Sequence, residues 1–274
     1  MNPIRKLGRW MATDAEGYLI NECSWEKIQP PWLNLVCDLR DGCVNQLGDR
    51  LHSLYLRGSV PRGLAIPAVS DLDSVALLLG EFEPDHLEAL LKPLRTALMQ
   101  RYPFCLKVET ALVSAVEIQA PTSQWQATLQ TQGLCIYGED VRSHLPRFKP
   151  GAALINHAFD LADDLADTQT FLRQASADYP HDNAHIKAQC GWIARRMVRT
   201  GFELVMATEG TFTRDLYPCY ECFARYFPAQ EPLMRKALEL AIQPSDNREG
   251  LLMFLSHFGA WLVERVDATL ERPD

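Results

Sequence analysis

Asp71 and Asp73, separated by Leu72, are the residues of this 274-residue chain whose types and spacing point most directly to chemistry. They lead into an apolar run, Ser74 to Leu79, that reads as a strand. Side chains alternate faces along a strand, so both carboxylates project from one face and Leu72 from the other. Two carboxylates that close repel each other unless a cation sits between them or one keeps its proton. A hard divalent ion such as Mg²⁺, which takes one or two carboxylates together with phosphate oxygens, suits the pair. Upstream, His52 to Leu56 reads as another strand, broken by Gly58-Ser59. An acidic strand edge or a Gly-Ser turn would each be commonplace alone. Here they occur together, each beside a strand.

Gly-Ser, eleven intervening residues, then Asp-x-Asp resembles the signature of the DNA polymerase β-type nucleotidyltransferase superfamily, in particular the aminoglycoside adenylyltransferases and related bacterial proteins. The resemblance implies a Gly-Ser turn opening a short helix whose amides meet a triphosphate. It also implies two Mg²⁺ ions on Asp71 and Asp73, with a third acid from a neighbouring strand. Residues 104–118, FCLKVETALVSAVEI, supply Glu109 and Glu117. Glu109 is favoured, because it lies nearer the strand's start, where the family places its third acid. Arg57 and Ser74 depart from the family's apolar preference at their positions without removing a ligand. Arg57 and Arg62 flank the turn, and a guanidinium matches phosphate oxygens two at a time.

The elements that must position these residues follow from pattern. Apolar residues at helical spacing predict a helix over Trp32 to Leu47. Pro84 in the first turn and Pro103 beyond the end frame a second helix to about Tyr102. The Glu109 strand follows, then a short helix over Ser123 to Thr131 and the stretch GLCIYGEDV. DAEGYLIN, residues 14–21, fits a small hairpin or an extended strand equally well. Strand, turn, strand, helix, strand gives a mixed sheet with helices against it, as the resembling fold requires.

The proline-basic stretch HLPRFKPG reads as a linker. Beyond it, helices are expected over about 152–177, 182–207, 213–227, 230–242 and 247–270, with breaks that include Tyr179-Pro180. The expected fold class is α+β: a polymerase β-like mixed sheet followed by an all-α bundle. The expected divisions are a lead-in over 1–29, a nucleotidyltransferase domain over 30–145 and a helical domain over 146–274. Residues 208–235 are similar to the C-terminal region of aminoglycoside adenylyltransferases, with Arg214 where the family has lysine. The resemblance implies that this domain helps hold the triphosphate, through Lys187 and Arg214.

Composition sets the bounds. The net charge of −8 and the lack of a basic run argue against a polynucleotide substrate. No apolar run reaches membrane-spanning length, and the N-terminus has no signal-peptide core, so a cytoplasmic protein is expected. The eight cysteines sit mostly in apolar segments and read as buried thiols, including the Cys219/Cys222 CxxC. His181 and His185 read as a solvated helix start. The function implied is Mg²⁺-dependent transfer of AMP from ATP to a hydroxyl of a small molecule, possible acceptors including aminoglycosides. The alternatives are nucleotide transfer onto protein or RNA, and nucleotide binding without turnover.

Overall fold

The computed structural model describes residues 4–120, 123–174 and 180–271, the side chains of 180–182 excepted. The expected break at Tyr179 and the side chain of His181 lie outside the described residues. The chain divides into two compact units: Thr13–Lys149, and Met1–Ala12 with Pro150–Asp274. The first twelve residues thus group with the second unit.

The first unit is built on a four-stranded sheet: β1 (Leu51–Arg57), β2 (Leu72–Leu78), β3 (Val108–Ser114) and β4 (Leu134–Gly138). The order is β3-β2-β1-β4. β1 runs antiparallel to β2 and β4, and β2 parallel to β3, so the sheet is mixed. One face carries Leu54, Leu56, Leu72, Ala76, Leu78 and Val108 against α1 (Trp32–Leu47) and α2 (Pro84–Arg101). The other carries Tyr55, Val75, Leu77 and Val113 against Leu129 of α3 (Gln124–Gln132). Both faces of the central strands are thus covered, which explains their nearly unbroken apolar sequence. Residues 14–21 form a small turn-back: Asp14 Oδ1 accepts from the amides of Glu16 and Tyr18, and Thr13 bridges Leu19.

The second unit is helical. α4 (Leu161–Gln174), α6 (Leu216–Tyr226), α7 (Glu231–Ile242) and α9 (Ala260–Thr269) all pack on the long α5 (Pro180–Glu209). α8 (Arg248–Phe254) continues into α9 through a π-helical turn, Leu255–Gly259. The helix expected from residue 152 is shorter than its sequence suggests. Ala152–Leu154 is a single 3₁₀ turn, and α4 begins only at Leu161. The intervening amides of His157 and Ala158 donate instead to the carboxylate of Glu203 on α5. At the N-terminus, the Met11 amide donates to the Phe212 carbonyl and the Arg9 amide to Asp215 Oδ2.

Candidate functional site

Parallel pairing of β2 and β3 sets Asp73 directly beside Glu109, and antiparallel pairing of β1 and β2 sets Arg57 beside Asp73. Three charged residues therefore form one row across three strands. They share the α3 face of the sheet with Tyr55, Val75 and Val113, at the strand ends farther from that apolar cluster. Asp71 precedes β2 and is partly buried. Register is held from the opposite face, where Ser74 Oγ donates to the Glu109 carbonyl oxygen (2.8 Å) and lies 2.8 Å from Thr110 Oγ1. The serine that departs from the family pattern is thus a buried, satisfied lock between β2 and β3. Glu117 lies beyond β3 in a 3₁₀ turn, so Glu109 is the acid aligned with Asp73.

Gly58 ends β1 with φ of +83°, and a Cβ there would lie 2.9 Å from Asp73 Oδ2. Glycine is needed twice over: for the left-handed backbone, and for the approach of chain to carboxylate. The turn does not open a helix, unlike the expectation from the resemblance. It closes on itself through Gly63 N–H to the Val60 carbonyl (3.1 Å) and Leu64 N–H to the Ser59 carbonyl (2.9 Å). Arg62 is almost fully buried, with Nε 2.6 Å from Glu22 Oε1, so its guanidinium ties the turn to the 22–27 segment.

The acids of the row carry their own counter-ions. Arg57 Nη2 stands 3.7 Å from Asp73 Oδ1, and Lys107 Nζ contacts Glu109 Oε1. Sequence reasoning missed Lys107; its spacing of two residues from Glu109 on one strand edge was the available signal. The Cys105 thiol is pushed up by burial, by the nearby charges of Asp71 and Asp73 among lesser causes, and is no ready nucleophile. Among the described residues no three His, Cys, Asp or Glu side chains are gathered into a metal-holding group. The oxygen donors Asp71, Asp73 and Glu109 nevertheless fit a hard cation in kind. Glycine at 58 leaves the Asp73 carboxylate clear on that side, whereas Arg57 Nε, buried without a hydrogen-bond partner, is a donor that suits an anion and not the cation itself.

In the helical unit, Glu203 is buried together with His157. His157 Nδ1 is 3.1 Å from Glu203 Oε1, and Arg214 Nη2 is 3.2 Å from His157 Nε2. Arginine can only donate, so Nε2 accepts and Nδ1–H donates to Glu203. Burial raises the Glu203 carboxyl above its ordinary range, opposed by Arg214 and by backbone N–H donors. Lys187 is an exposed residue of α5, 3.2 Å from Asp246 Oδ2. Cys219 and Cys222 are buried free thiols, and burial pushes Cys222 up to about 11. His185 is exposed on α5.

The chain is similar in structure to a spectinomycin adenyltransferase. That protein, AAD(9) from Enterococcus faecialis, was solved with ATP and spectinomycin. The match has 12% identity and a TM-score of 0.49, and it covers 85% of this chain and 98% of that one. No protein-family model matches the sequence, and no curated protein matches it significantly. No helix among the described residues is long and apolar enough to cross a membrane.

Proposed function

We propose that the chain is a metal-dependent nucleotidyltransferase that moves AMP from ATP to a hydroxyl of a small molecule, with release of pyrophosphate. The single observation that carries this reading is the in-register row Arg57, Asp73, Glu109 beside the Gly58-Ser59 turn. The resemblance of the motif in the sequence supplies the reaction class. Asp71, Asp73 and Glu109 would hold the metal ions. When bound, Mg²⁺ neutralises charge on the transferring phosphoryl group and on the attacking and leaving oxygens.

The chain's own residues do the rest. Ser59 donates its hydroxyl to a phosphate oxygen, and the Gly58-Ser59 amides form an anion-binding turn. Arg62 holds that turn in place through Glu22. Glu109 is 43% exposed, open to an incoming acceptor, and takes the hydroxyl proton as attack begins. Nucleotide binding without turnover is the second reading. One observation favours it: Lys107 already occupies Glu109 and must leave before that carboxylate can meet an acceptor.

Calorimetric titration of ATP, with and without Mg²⁺, tests the site in wild type and in Asp73→Asn. Mg²⁺-dependent binding that disappears in the variant is the expected result; equal binding in both would remove the assigned site. Pyrophosphate release across a panel of hydroxyl acceptors then separates turnover from binding alone.

A further inference from the structure

The acid row contains a mismatch. Arg57 and Asp73 are only loosely paired, at 3.7 Å, while Arg57 Nε is sealed from solvent with no acceptor. A guanidinium has five N–H donors, and leaving one buried and unused penalises that pose. Lys107 and Glu109 touch, yet their side chains are 60% and 43% exposed, so water is a ready substitute for either partner. Both acids thus hold cations that are easily displaced. A divalent ion on the same carboxylates would compete with both, because one site cannot accommodate the protein's cations and the metal at full strength.

We propose that Arg57 and Lys107 are exchangeable counter-ions of the acid row, and that a divalent cation displaces both. Displacement turns Arg57 from carboxylate to phosphate, so metal and triphosphate favour each other's binding. Lys107 shields Glu109 until the metal arrives and then withdraws to solvent. This inference rests on the nucleotidyltransferase reading and adds regulation to the same site. By linkage, the coupling is reciprocal: whatever factor the metal adds to phosphate affinity, phosphate adds to metal affinity.

Mn²⁺ alone is the first probe, followed through the electron spin resonance of the free ion; inorganic tripolyphosphate in saturating Mn²⁺ is the second. Lys107→Met should bind Mn²⁺ about two- to fivefold more tightly, the range expected when an exposed ion pair no longer competes, and bind tripolyphosphate as wild type does. Arg57→Met should give opposite signs: tighter Mn²⁺, and tripolyphosphate weakened about tenfold or more by loss of a charge-assisted contact. A variant that is merely unfolded weakens both ligands, and melting curves identify it. In that case Arg57→Lys, which keeps the charge without the planar fork, replaces it and should show the same signs more weakly.

Unchanged Mn²⁺ affinity in Lys107→Met and in folded Arg57 variants overturns the exchange while leaving the nucleotidyltransferase reading intact. Failure of wild type to bind Mn²⁺ at all overturns both. The amide and side-chain nitrogen signals of Arg57 provide a readout independent of activity: Mg²⁺ should move the Nε resonance in wild type but not in Asp73→Asn.

Discussion

Each of the two units sets a carboxylate against cationic groups, and the two do so in opposite ways. In the helical unit Glu203 is 4% exposed and receives the amides of His157 and Ala158 as well as His157 Nδ1. Arg214 closes the chain on the far side of the imidazole. In the sheet unit Asp73 and Glu109 are partly open to solvent, one cation is loosely placed and the other exposed. A buried polar network must be satisfied or it destabilises the fold, so it specifies structure. A partly exposed pair costs little to separate, so its members can change partners. The buried network is where the fold is vulnerable; the open row is where a ligand can be taken up.

The sharpest way to break this contrast is to truncate the buried acid. Glu203→Ala strands three donors and leaves Arg214 facing an unanchored imidazole. It should cost about 3–5 kcal/mol in urea denaturation, as removal of one member of a buried pair does. The loop 155–160, held off the helical path by those bonds, should lose protection from hydrogen exchange. A cost below about 1 kcal/mol would show that the network organises nothing.

The same operation in the open row should touch function instead. Asp73→Asn should lower Mg²⁺-dependent ATP affinity about a hundredfold or more, the upper range for a disturbed metal site. Its melting curve should stay close to wild type. Coupled losses of both would mean that Asp73 is a structural residue after all.

Gly58→Ala probes the seam between backbone and site. At φ of +83° an alanine is strained by about 1–2 kcal/mol. Its Cβ would push on the Asp73 carboxylate, the movable end of a side chain, so the steric part displaces the ligand more than it destabilises the fold. Thermal melting measures the strain, and ATP titration measures the displaced ligand. Wild-type behaviour in both would mean that the turn adopts another conformation.

The difference between the regions also explains what could be read in the sequence. The strands around Leu54 and Val75, the helices over 32–47 and 84–101 and the long α5 all follow from apolar spacing and proline placement. Asp71, Asp73 and the Gly58-Ser59 turn were legible because their spacing is local. Register was not: the resemblance joined Glu109 to the aspartates, but nothing in the linear order announced that Arg57 stands in the same row or that Ser74 locks it. The start of α4 was misread because Glu203, 46 positions from His157, captures amides that periodicity assigns to a helix. Arg62 and Lys187 read as candidate phosphate contacts, and only the fold reveals Glu22 and Asp246 opposite them.

Acid titration sharpens the contrast further. Burial raises the Glu203 carboxyl in the folded chain above its ordinary value of 4.5. Between that value and the higher folded one, the folded state binds more protons than the unfolded, so this group's contribution to stability is complete at low pH and declines as pH rises. Glu203→Gln removes the dependence. The stability of wild type relative to Glu203→Gln, measured by urea denaturation across pH 4–8, should therefore fall with rising pH. A rise would mean that the ionised carboxylate, held by Arg214 and the amides, outweighs its burial.

The smallest effect belongs to Lys107. Its pair with Glu109 is exposed on both sides, and such pairs contribute about 0–1 kcal/mol, often nothing measurable. Lys107→Met should therefore shift the urea midpoint by no more than about 0.5 kcal/mol equivalent, less still at high salt, where exposed charges are screened. Glu109→Gln should behave alike, because each leaves the other side chain free to turn to water. The two changes together should be additive within error, for there is little interaction to lose. A coupling well above 0.5 kcal/mol in the double-mutant cycle would make the pair a structural element like Glu203 and His157, and would erase the distinction between a row that can release its cations and a network that cannot.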